Sequence, residues 1–383
     1  MSAPAFKAMI MAAGLGTRLY PLTGRTAKPM VPILNRPVME HMLHLLRRHG
    51  VREVAANLHY QPDKIRTYFG DGSAFGVELR YNLEDDLLGT AGGVGAFREF
   101  LSDGTFVVVS GDGLTDIDLT AFVAAHRASA GLCTMAVKQV DDSPLYGVVV
   151  HDGRRRVTGF QEKPPAEEAL SDWCNCGIYA FEAGIFDHVP AGAFVDWAKD
   201  VFPALLDVGA PFHVWPLETY WNDVGNIEQY RLSNFDALLG RVKLDVPGRE
   251  IAPRVWVGEG THIEVGVRLE PPLLLGAGCL VETEAELIGP LIVGDGCVIG
   301  RGAVLEGVIH WDGVKAGRGS RLAGSILGRN VTVHHEAVVH EDAVIGDRSD
   351  VVAHALVPPG ARYEPRSRVG PEGFCGDVAR DGG

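Results

Sequence analysis

One stretch decides the fold of the C-terminal part of this sequence: VETEAELIGPLIVGDGCVIGRGAVL, from Val281 to Leu305. Aliphatic residues stand at every sixth position of it, a period that neither a helix nor an alternating strand produces. Such a period is typical of a solenoid whose triangular coil has three six-residue faces. The same spacing continues outward through Val257, Ile263, Leu269, Leu275 and Trp311.

A second run with the same period follows, displaced by four residues from the first. It comprises Leu327, Val333, Val339, Ile345, Val351 and Val357. The displacement predicts an irregular coil or loop from Lys315 to Ser325. Cys279 and Cys297 are eighteen residues apart, so we expect them at equivalent positions on neighbouring coils, as small apolar residues rather than a disulfide. The pattern resembles the hexapeptide-repeat left-handed parallel β-helix.

Upstream of the repeat, apolar runs alternate with helical patterns. Ala8 to Ala12, Val54 to Asn57 and Phe106 to Ser110 have the composition of buried strands, which predicts an α/β fold with a Rossmann-like, mostly parallel sheet. Ligands bind beyond the carboxyl ends of such strands, so we expect the chemistry in the loops after Ala12 and Ser110.

The two patterns predict a domain organisation. We expect an α/β domain at residues 1–240, a linker at 241–250 and the β-helix at 251–357. Residues 358–383 are rich in Pro, Gly and Arg and are predicted to form a partly disordered tail.

Composition excludes several classes of partner. The 383 residues carry a formal net charge of −14, which opposes binding to nucleic acid or anionic membranes. The sequence has no apolar segment long enough to span a bilayer. Six scattered cysteines lack zinc-site spacing, so we expect a reduced, cytoplasmic protein.

The first predicted strand leads into a glycine loop, Ala12-Ala13-Gly14-Leu15-Gly16-Thr17-Arg18, with Lys28-Pro29 ten residues later. Glycines let backbone amides approach an anion closely. Leu19 stands where the dinucleotide-binding fingerprint has its third glycine, and there is no P-loop lysine pattern. The glycines alone would equally suit a tight strand-to-helix turn.

With Thr17, Arg18 and Lys28-Pro29 included, the segment resembles the signature of the sugar-1-phosphate nucleotidyltransferases. Six further blocks match family motifs in family order: Leu88 to Gly92, Ser110 to Asp112, Tyr146 to Val149, Phe160 to Pro164, Asn175 to Tyr179 and Tyr220 to Gly225. The resemblance implies transfer of a nucleoside monophosphate from a nucleoside triphosphate to a sugar 1-phosphate, with release of pyrophosphate. Every matched block precedes Leu239, so we expect the catalytic residues to be independent of the β-helix.

The resemblance also implies roles for single residues. The predicted nucleotide-binding set is Ala12, Ala13, Gly14, Gly16, Thr17, Arg18, Glu84, Gly89 and Thr90. The predicted catalytic residues are Arg18, Lys28 and Asp112, because charge on the departing pyrophosphate must be neutralised. The predicted sugar-phosphate-binding set is Gly147, Glu162, Lys163 and Asn175.

Asp112 and Asp223 are predicted to bind Mg²⁺, which prefers hard oxygen ligands and bridges phosphates. Taken singly, Asp112 with Gly113 suits a turn, and Asp223 suits a helix cap before Ile227. Gly113 stands where the family more often has an aliphatic residue, so we expect it to loosen the loop beside the metal.

Base and sugar specificity are predicted from the stretch Glu84-Asp85-Asp86. An ionised carboxylate can accept hydrogen bonds from guanine N1 and N2, which favours GTP through Glu84 or, failing it, Asp85. The longer run from Glu84 to Gly92 and the β-helix segment from Ile309 to Gly313 resemble the mannose-1-phosphate guanylyltransferase branch, which favours mannose 1-phosphate. For the acidic stretch, the alternatives are a loop without specificity, or base reading by Asn82 or backbone groups instead. For the reaction, the alternatives are thymidylyl, uridylyl or adenylyl transfer to glucose 1-phosphate, and guanylyl transfer to a cyclitol phosphate.

The β-helix leaves room for other roles. Hexapeptide β-helices often serve acyl transfer with a histidine base, and the candidates here are His262, His310, His334, His335, His340 and His354. Nothing in the surrounding sequence selects one of them. We expect the β-helix to be an assembly or regulatory module and the protein to be a homo-oligomer, either a dimer or a tetramer.

Overall fold

A computed structural model describes residues 6–140 and 146–371, together with the backbone of 375–377. Its helices are α1 (Val38–Arg48), α2 (Pro62–Phe69), α3 (Gly89–Gly95), α4 (Arg98–Leu101), α5 (Leu119–Ala128), α6 (Phe202–Asp207) and α7 (Ile227–Leu238). The strands outside the solenoid are β1 (Lys7–Met11), β2 (Pro32–Ile33), β3 (Arg36–Pro37), β4 (Glu53–Leu58), β5 (Glu78–Leu83), β6 (Phe106–Ser110), β7 (Gly113–Thr115), β8 (Cys133–Gln139), β9 (Gly147–His151), β10 (Val157–Glu162), β11 (Trp173–Phe181), β12 (Phe212–Pro216) and β13 (Trp221–Asp223).

The chain divides into two compact units. The first contains the residues up to 15 together with 27–30 and 38–224, and the second contains 16–26, 31–37 and the residues from 225 onward. The second unit therefore includes Gly16, Thr17 and Arg18 of the glycine loop. The expected domain bounds, and the independence of the matched motifs from the β-helix, stay predictions.

The first unit is built on a nine-stranded mixed sheet in the order β10-β9-β11-β6-β1-β4-β5, with β8 beside β11 and β12 beside β8. Strands β6, β1, β4 and β5 are parallel to one another, whereas β11 is antiparallel to β6, β8 and β9. The α/β prediction is confirmed, and the parallel part is the part that carries the glycine loop.

Both faces of the central strands are buried, which explains their continuous apolar sequence. Ile10 and Val109 pack in a core cluster on one face, while Met9 and Val108 pack in a second cluster on the other. The chain must therefore place its polar groups at the strand ends, where the loops begin.

The second unit is dominated by a solenoid of short parallel strands in three ladders. Its strands are β14 (Arg249–Ala252), β15 (Val255–Val257), β16 (His262–Ile263), β17 (Arg268–Glu270), β18 (Leu273–Leu275), β19 (Leu280–Val281), β20 (Glu286–Ile288), β21 (Leu291–Val293), β22 (Val298–Ile299), β23 (Val304–Glu306), β24 (Ile309–His310), β25 (Lys315–Ala316), β26 (Arg321–Ala323), β27 (Ile326–Leu327), β28 (Thr332–Val333), β29 (Val338–Val339), β30 (Val344–Ile345), β31 (Asp350–Val351), β32 (Leu356–Val357), β33 (Arg362–Tyr363), β34 (Ser367–Val369) and β35 (Cys375–Asp377). Strands β15 to β34 form the three parallel ladders, which connect every third strand, whereas β14 and β35 pair antiparallel with β15 and β34 at the ends.

This stacking is consistent with the predicted left-handed β-helix, whose repeat is confirmed. Val255 pairs with Leu273 and Leu273 with Leu291, a spacing of eighteen residues. Cys279 and Cys297 precede the paired residues Leu280 and Val298, so they occupy equivalent positions on neighbouring coils. Both are buried with free thiols, as expected.

The predicted irregular coil from Lys315 to Ser325 is wrong, because this segment contains the regular strands β25 and β26. Two turns are one residue short instead. Along the chain, the repeat position after Leu305 is His310, and the one after Leu322 is Leu327. Each step is five residues instead of six. The glycines at these turns, Gly307 and Gly324, have positive φ. Removing two residues from a six-residue repeat shifts it by the same phase as adding four, which is the displacement between the two runs in the sequence.

Trp311 is consequently not a ladder residue. His310 pairs with Val293 and Leu327 in its place, and Trp311 follows it on the chain. The coils also continue beyond Val357, since Tyr363 and Val369 belong to the solenoid core. The part of the predicted tail that the structure describes, 358–371, is therefore ordered solenoid, and residues 372–374 and 378–383 lie outside the described residues.

His310 makes the solenoid sensitive to acid. Burial lowers the pKa of His310 to about 3, from an ordinary value of 6.5. Below about pH 6.5 the unfolded chain binds a proton that the folded chain excludes, so stability falls as the pH drops towards 3. Relative to wild type, we expect His310→Leu to raise the free energy of unfolding by about 2 kcal/mol more at pH 5 than at pH 8.

Thermal and urea unfolding of wild type and His310→Leu at the two pH values measure this difference. His262→Leu is the control, because His262 is exposed on the same solenoid. An equal effect of His310→Leu at both pH values would contradict the prediction.

Among the described helices, none combines the length and apolar composition needed to cross a bilayer.

Candidate active site

A cavity of about 350 Å³ lies in the first unit, and residues at the ends of the parallel strands line it. Most of them come from the ends of β1, β4, β5 and β6 or from the segments that follow these strands, where the sequence predicts the chemistry, and the others come from the segment between β11 and α6. The lining residues are Met11, Ala12, Ala13, Gly14, Lys28, Pro29, Asn57, Glu84, Leu87, Gly89, Thr90, Ser110, Asp112, Phe194 and Asp196. The structure thus gathers most of the predicted nucleotide-binding residues, with Lys28 and Asp112, around one space.

A two-stranded antiparallel ladder explains how Asp112 and Asp223 meet. Strands β7 and β13 pair so that Asp223 is opposite Gly113, and the Val224 amide donates to the Asp112 carbonyl oxygen at 3.1 Å. Gly113 is buried in this ladder, so the expectation that it loosens a loop is wrong. The alternative of Asp223 as a helix cap is also wrong, because Asn226 caps α7.

Lys28 joins the two carboxylates. Its Nζ donates to Oδ2 of Asp112 and lies 3.6 Å from Oδ1 of Asp223. Burial by itself would raise the pKa of Asp112, but the charge of Lys28 and hydrogen bonds from Lys28 and Ser110 outweigh it and hold the pKa below its usual value. The carboxylate therefore stays ionised and able to attract a cation.

The same pair fits a divalent metal. Mg²⁺ is usually held by one or two carboxylates together with substrate phosphates and water, so a larger protein cage is not required. In the part of the chain that the structure describes, no group of three or more His, Cys, Asp or Glu side chains forms such a cage. In this structure the ammonium of Lys28 is the positive charge beside Asp112 and Asp223.

A hydrogen-bonded chain ties three loops of the cavity together. The Asn57 Oδ1 accepts from the Ala12 amide at 2.9 Å, and its Nδ2 donates to Glu84 Oε1 at 2.7 Å. The other Glu84 oxygen accepts from the Leu88 amide at 3.0 Å. Glu84 is only 4% exposed, and its two hydrogen bonds support this loop. The sequence predicts Glu84 as the residue that reads the base. Asn57 was missed, although it stands near the end of a buried strand.

A second wall of the cavity joins the Gly89-Thr90 segment to the segment around Asp196. Thr90 Oγ1 donates to Asp196 Oδ2 at 2.9 Å, and the Ala91 amide donates to the Val195 carbonyl at 2.9 Å. Gly89 has φ +77, and a Cβ there would overlap the Val195 oxygen, so only glycine suits the position. No sequence pattern indicates Asp196 or Phe194 as site residues, and Phe194 is 67% exposed at the cavity.

The predicted sugar-phosphate residues lie on β9, β10 and β11 or, for Lys163, directly after β10, and are not among the cavity-lining residues. Gly147 is directly opposite Glu162 across β9 and β10, and Lys163 Nζ lies 3.6 Å from Glu162 Oε1. The amide of Asn175 is engaged within its own strand, with Tyr179 OH at 2.8 Å and the Gly177 amide at 2.9 Å. The structure thus brings Gly147, Glu162 and Lys163 together, and Asn175 is also near Gly147, because the adjacent residues Cys174 and Val148 pair between β11 and β9.

Gly16, Thr17 and Arg18 are described with the second unit. Thr17 and Arg18 lie in a short 3₁₀ turn, Thr17–Leu19, and both side chains are exposed. Their predicted contacts with phosphate stay predictions.

Comparison with known proteins assigns the family. Residues 7–238 match the nucleotidyl transferase family. The chain is 41% identical to a UTP–glucose-1-phosphate uridylyltransferase of Synechocystis sp., over 66% of this chain and 69% of the relative. It is 33% identical to a mannose-1-phosphate guanylyltransferase of Mycobacterium tuberculosis, over 69% of this chain and 78% of the relative. A probable mannose-1-phosphate guanylyltransferase of Arabidopsis thaliana is 30% identical over 92% of this chain and 100% of the relative.

The fold agrees with solved structures. A putative glucose-1-phosphate thymidylyltransferase from Bacillus anthracis has a TM-score of 0.56 and 23% identity, covering 63% of this chain and 96% of that one. The family match, the relatives and the residues around the cavity agree. The chain belongs to the nucleotidyl transferase family and is an enzyme of the sugar-1-phosphate nucleotidyltransferase type.

Proposed function

We propose that this sugar-1-phosphate nucleotidyltransferase uses GTP and mannose 1-phosphate, with Mg²⁺ held by Asp112 and Asp223. The observation that carries the proposed chemistry is the pair of carboxylates joined by Lys28, since Lys28 and Asp112 line the same cavity as the glycine loop residues Ala12 to Gly14. Such a site suits a polyanionic triphosphate, because it offers fixed cationic charge beside backbone amides.

The residues divide the work of in-line transfer. The sugar phosphate oxygen attacks the α-phosphorus of the triphosphate, and the bond to the pyrophosphate oxygen breaks. Asp112 and Asp223 would hold Mg²⁺, which would supply positive charge to offset that of the phosphates. Lys28 supplies a nearly buried positive charge, 7% exposed, where solvent screens it least. Arg18 would fork onto phosphate oxygens, and Glu162 and Lys163 would hold the sugar phosphate.

The carboxylate of Glu84 supports guanine as the base. Each of its oxygens accepts one hydrogen bond from the protein, so each retains a lone pair for guanine N1–H or N2–H. The relatives from Mycobacterium tuberculosis and Arabidopsis thaliana, both named for guanylyl transfer to mannose 1-phosphate, also favour this choice.

UTP with glucose 1-phosphate is the second candidate. The relative with 41% identity is named for that reaction. The two protein bonds to Glu84 give the carboxylate a structural role that any base would tolerate, and backbone groups or Asn82 would then read the base.

Glu84→Gln separates the two candidates. If Glu84 reads guanine, the ratio of kcat/KM for GTP to that for UTP should fall about tenfold to a hundredfold. The amide also faces Asn57 Nδ2 and the Leu88 amide, so one loop bond is lost and all triphosphates should slow together. The ratio is therefore the informative quantity. Asp86→Asn is the matched control, because Asp86 is an exposed carboxylate of the same stretch, and a ratio unchanged in Glu84→Gln would contradict base reading by Glu84.

Substrate choice is tested by initial rates of pyrophosphate release over GTP, UTP, dTTP and ATP, each with mannose, glucose and cyclitol phosphates. Highest kcat/KM with GTP and mannose 1-phosphate supports the proposal, and preference for UTP and glucose 1-phosphate selects the second candidate. A homo-oligomer, dimer or tetramer, and a cytoplasmic location stay predictions. Acyl transfer is not proposed, because no observation favours it: His310 is buried, and His334 and His354 are paired with Asp350 and Glu336.

A further inference from the structure

Arg329 interrupts a regular feature of the solenoid. The strand register places Asp295, Asp312, Arg329 and Asp347 at one corner of successive coils. Each aspartate accepts a hydrogen bond from a backbone amide of the preceding coil, at 2.7 to 3.1 Å. The Arg329 amide donates to Asp347 in this ladder, but a guanidinium cannot accept hydrogen bonds, so the Arg329 side chain does not replace the aspartates as an acceptor.

The guanidinium of Arg329 binds a segment far away in sequence. Its Nη1 donates to Thr26 Oγ1 at 3.1 Å, and its Nε lies 3.4 Å from Asp312 Oδ2. It also lies over the Trp311 ring, 4.7 Å from the centroid. Trp311 in turn donates from Nε1 to the hydroxyl of Tyr230 on α7 at 2.8 Å. Trp311 and Asp312 therefore fix the guanidinium in the orientation that reaches Thr26.

The segment around Thr26 packs closely on the same solenoid. Thr26 is 1% exposed, although Arg329 itself is partly exposed. A Cβ added at Gly24 would lie 3.1 Å from Pro365 Cγ, so the loop approaches the last coils too closely for a larger residue without adjustment.

The solenoid and α7 also hold the chain on the other side of Lys28. Asn35 Nδ2 donates to the Val293 carbonyl at 2.8 Å. Asn234 of α7 accepts from the Leu34 amide at 3.1 Å and donates to the Pro32 carbonyl at 3.3 Å. Lys28 lies on the chain between Thr26 and Pro32, so both flanks of this lysine are anchored in the second unit.

We propose that Arg329 is a positioning residue of the nucleotidyl transfer site: by binding Thr26, it fixes the backbone that carries Lys28. The inference rests on the proposed function, because it takes Lys28 as the charge that faces the triphosphate. An error of about 1 Å in such a charge can cost about a hundredfold in rate, so a support two residues away on the chain affects catalysis.

The test compares Thr26→Val, Thr26→Ser and Arg329→Met in the full-length protein. Valine has the shape of threonine but cannot accept the hydrogen bond, whereas serine can. We expect Thr26→Val and Arg329→Met to lower kcat by about tenfold or more, with KM for both substrates changed by less than about threefold. Thr26→Ser should restore most of the rate. Arg301→Met is the control, because Arg301 is a solenoid arginine paired only with Glu284 in the described residues.

The double variant Thr26→Val with Arg329→Met decides whether the two residues act as a unit. We expect it to be no slower than the slower single variant, since both changes remove one contact. The proposal would be overturned if the kcat losses of the two single variants multiplied in the double variant. It would also be overturned if Arg301→Met lost as much kcat, or if the single variants kept the wild-type rate.

Hydrogen exchange gives a readout independent of turnover. Without substrate, Arg329→Met should speed exchange of the Met30 amide, which bonds to the Ala27 carbonyl at 2.8 Å, and Arg301→Met should not. Unchanged exchange would overturn the proposal. The wild-type protein could be inactive on every substrate pair while Arg329→Met still speeds exchange of the Met30 amide. That combination would count against the proposed function and not against the contact between Arg329 and Thr26.

Discussion

Asp112→Asn and Asp223→Asn are each expected to lower kcat about a thousandfold while the protein stays folded. The two carboxylates are set side by side by the β7 and β13 ladder, and the cation between them in the structure is the Lys28 ammonium. Asparagine keeps the side-chain shape and one acceptor oxygen but removes the negative charge that a divalent metal requires. The loss should therefore fall on the chemical step.

Initial rates of pyrophosphate release across a Mg²⁺ series measure this effect, and thermal unfolding checks the fold. The matched control is Asp118→Asn. Asp118 caps α5 through a bond to the Ala121 amide, and asparagine caps a helix equally well, so its activity should equal that of wild type. Normal turnover in Asp112→Asn or Asp223→Asn would show that the metal assignment is wrong.

Lys28→Ala is the second large effect that we expect, with kcat reduced about a hundredfold or more and KM changed far less. Lys28 faces charge that grows on the departing pyrophosphate, so its contribution is greatest in the transition state. Arg18→Ala should show the same division between kcat and KM. If KM alone changed, both residues would serve binding only.

Lys28→Ala has a further consequence that the structure makes specific. It leaves Asp112 and Asp223 as neighbouring carboxylates without the ammonium, which should lower the melting temperature. Adding Mg²⁺ should recover more of the melting temperature in Lys28→Ala than in wild type. Lys199→Ala is the control, because Lys199 is exposed on a surface helical turn. Equal responses to Mg²⁺ would contradict a shared cation position.

The sequence predicted the elements whose pattern is periodic. The six-residue repeat predicted the solenoid, and the apolar runs predicted the parallel strands that end at Ala12, Asn57 and Ser110. It failed where a small local change shifts a long pattern. Two turns shortened by one residue, at Gly307 and Gly324, produced the same phase as an inserted loop, and so the regular strands near Lys315 were misread.

Site residues were predictable where a family motif contains them and not where tertiary packing brings them in. Asp112 and Asp223 are both in motifs, but their approach depends on the pairing of β7 with β13, which sequence spacing does not show. Asn57 and Asp196 bond to Ala12 and Thr90 across large sequence distances. The anchoring of Thr26 by Arg329, 303 residues later, is a contact of the same kind.

The central claim is that one active site couples a nucleoside triphosphate to a sugar 1-phosphate. The most direct measurement mixes the protein with Mg²⁺, GTP and mannose 1-phosphate, and in parallel UTP and glucose 1-phosphate, and follows all phosphorus species by ³¹P NMR. We expect equal amounts of pyrophosphate and nucleoside diphosphate sugar to form, only when both substrates are present and not with Asp112→Asn. Pyrophosphate released without the sugar phosphate, or no product from any triphosphate and sugar phosphate pair, would contradict the account.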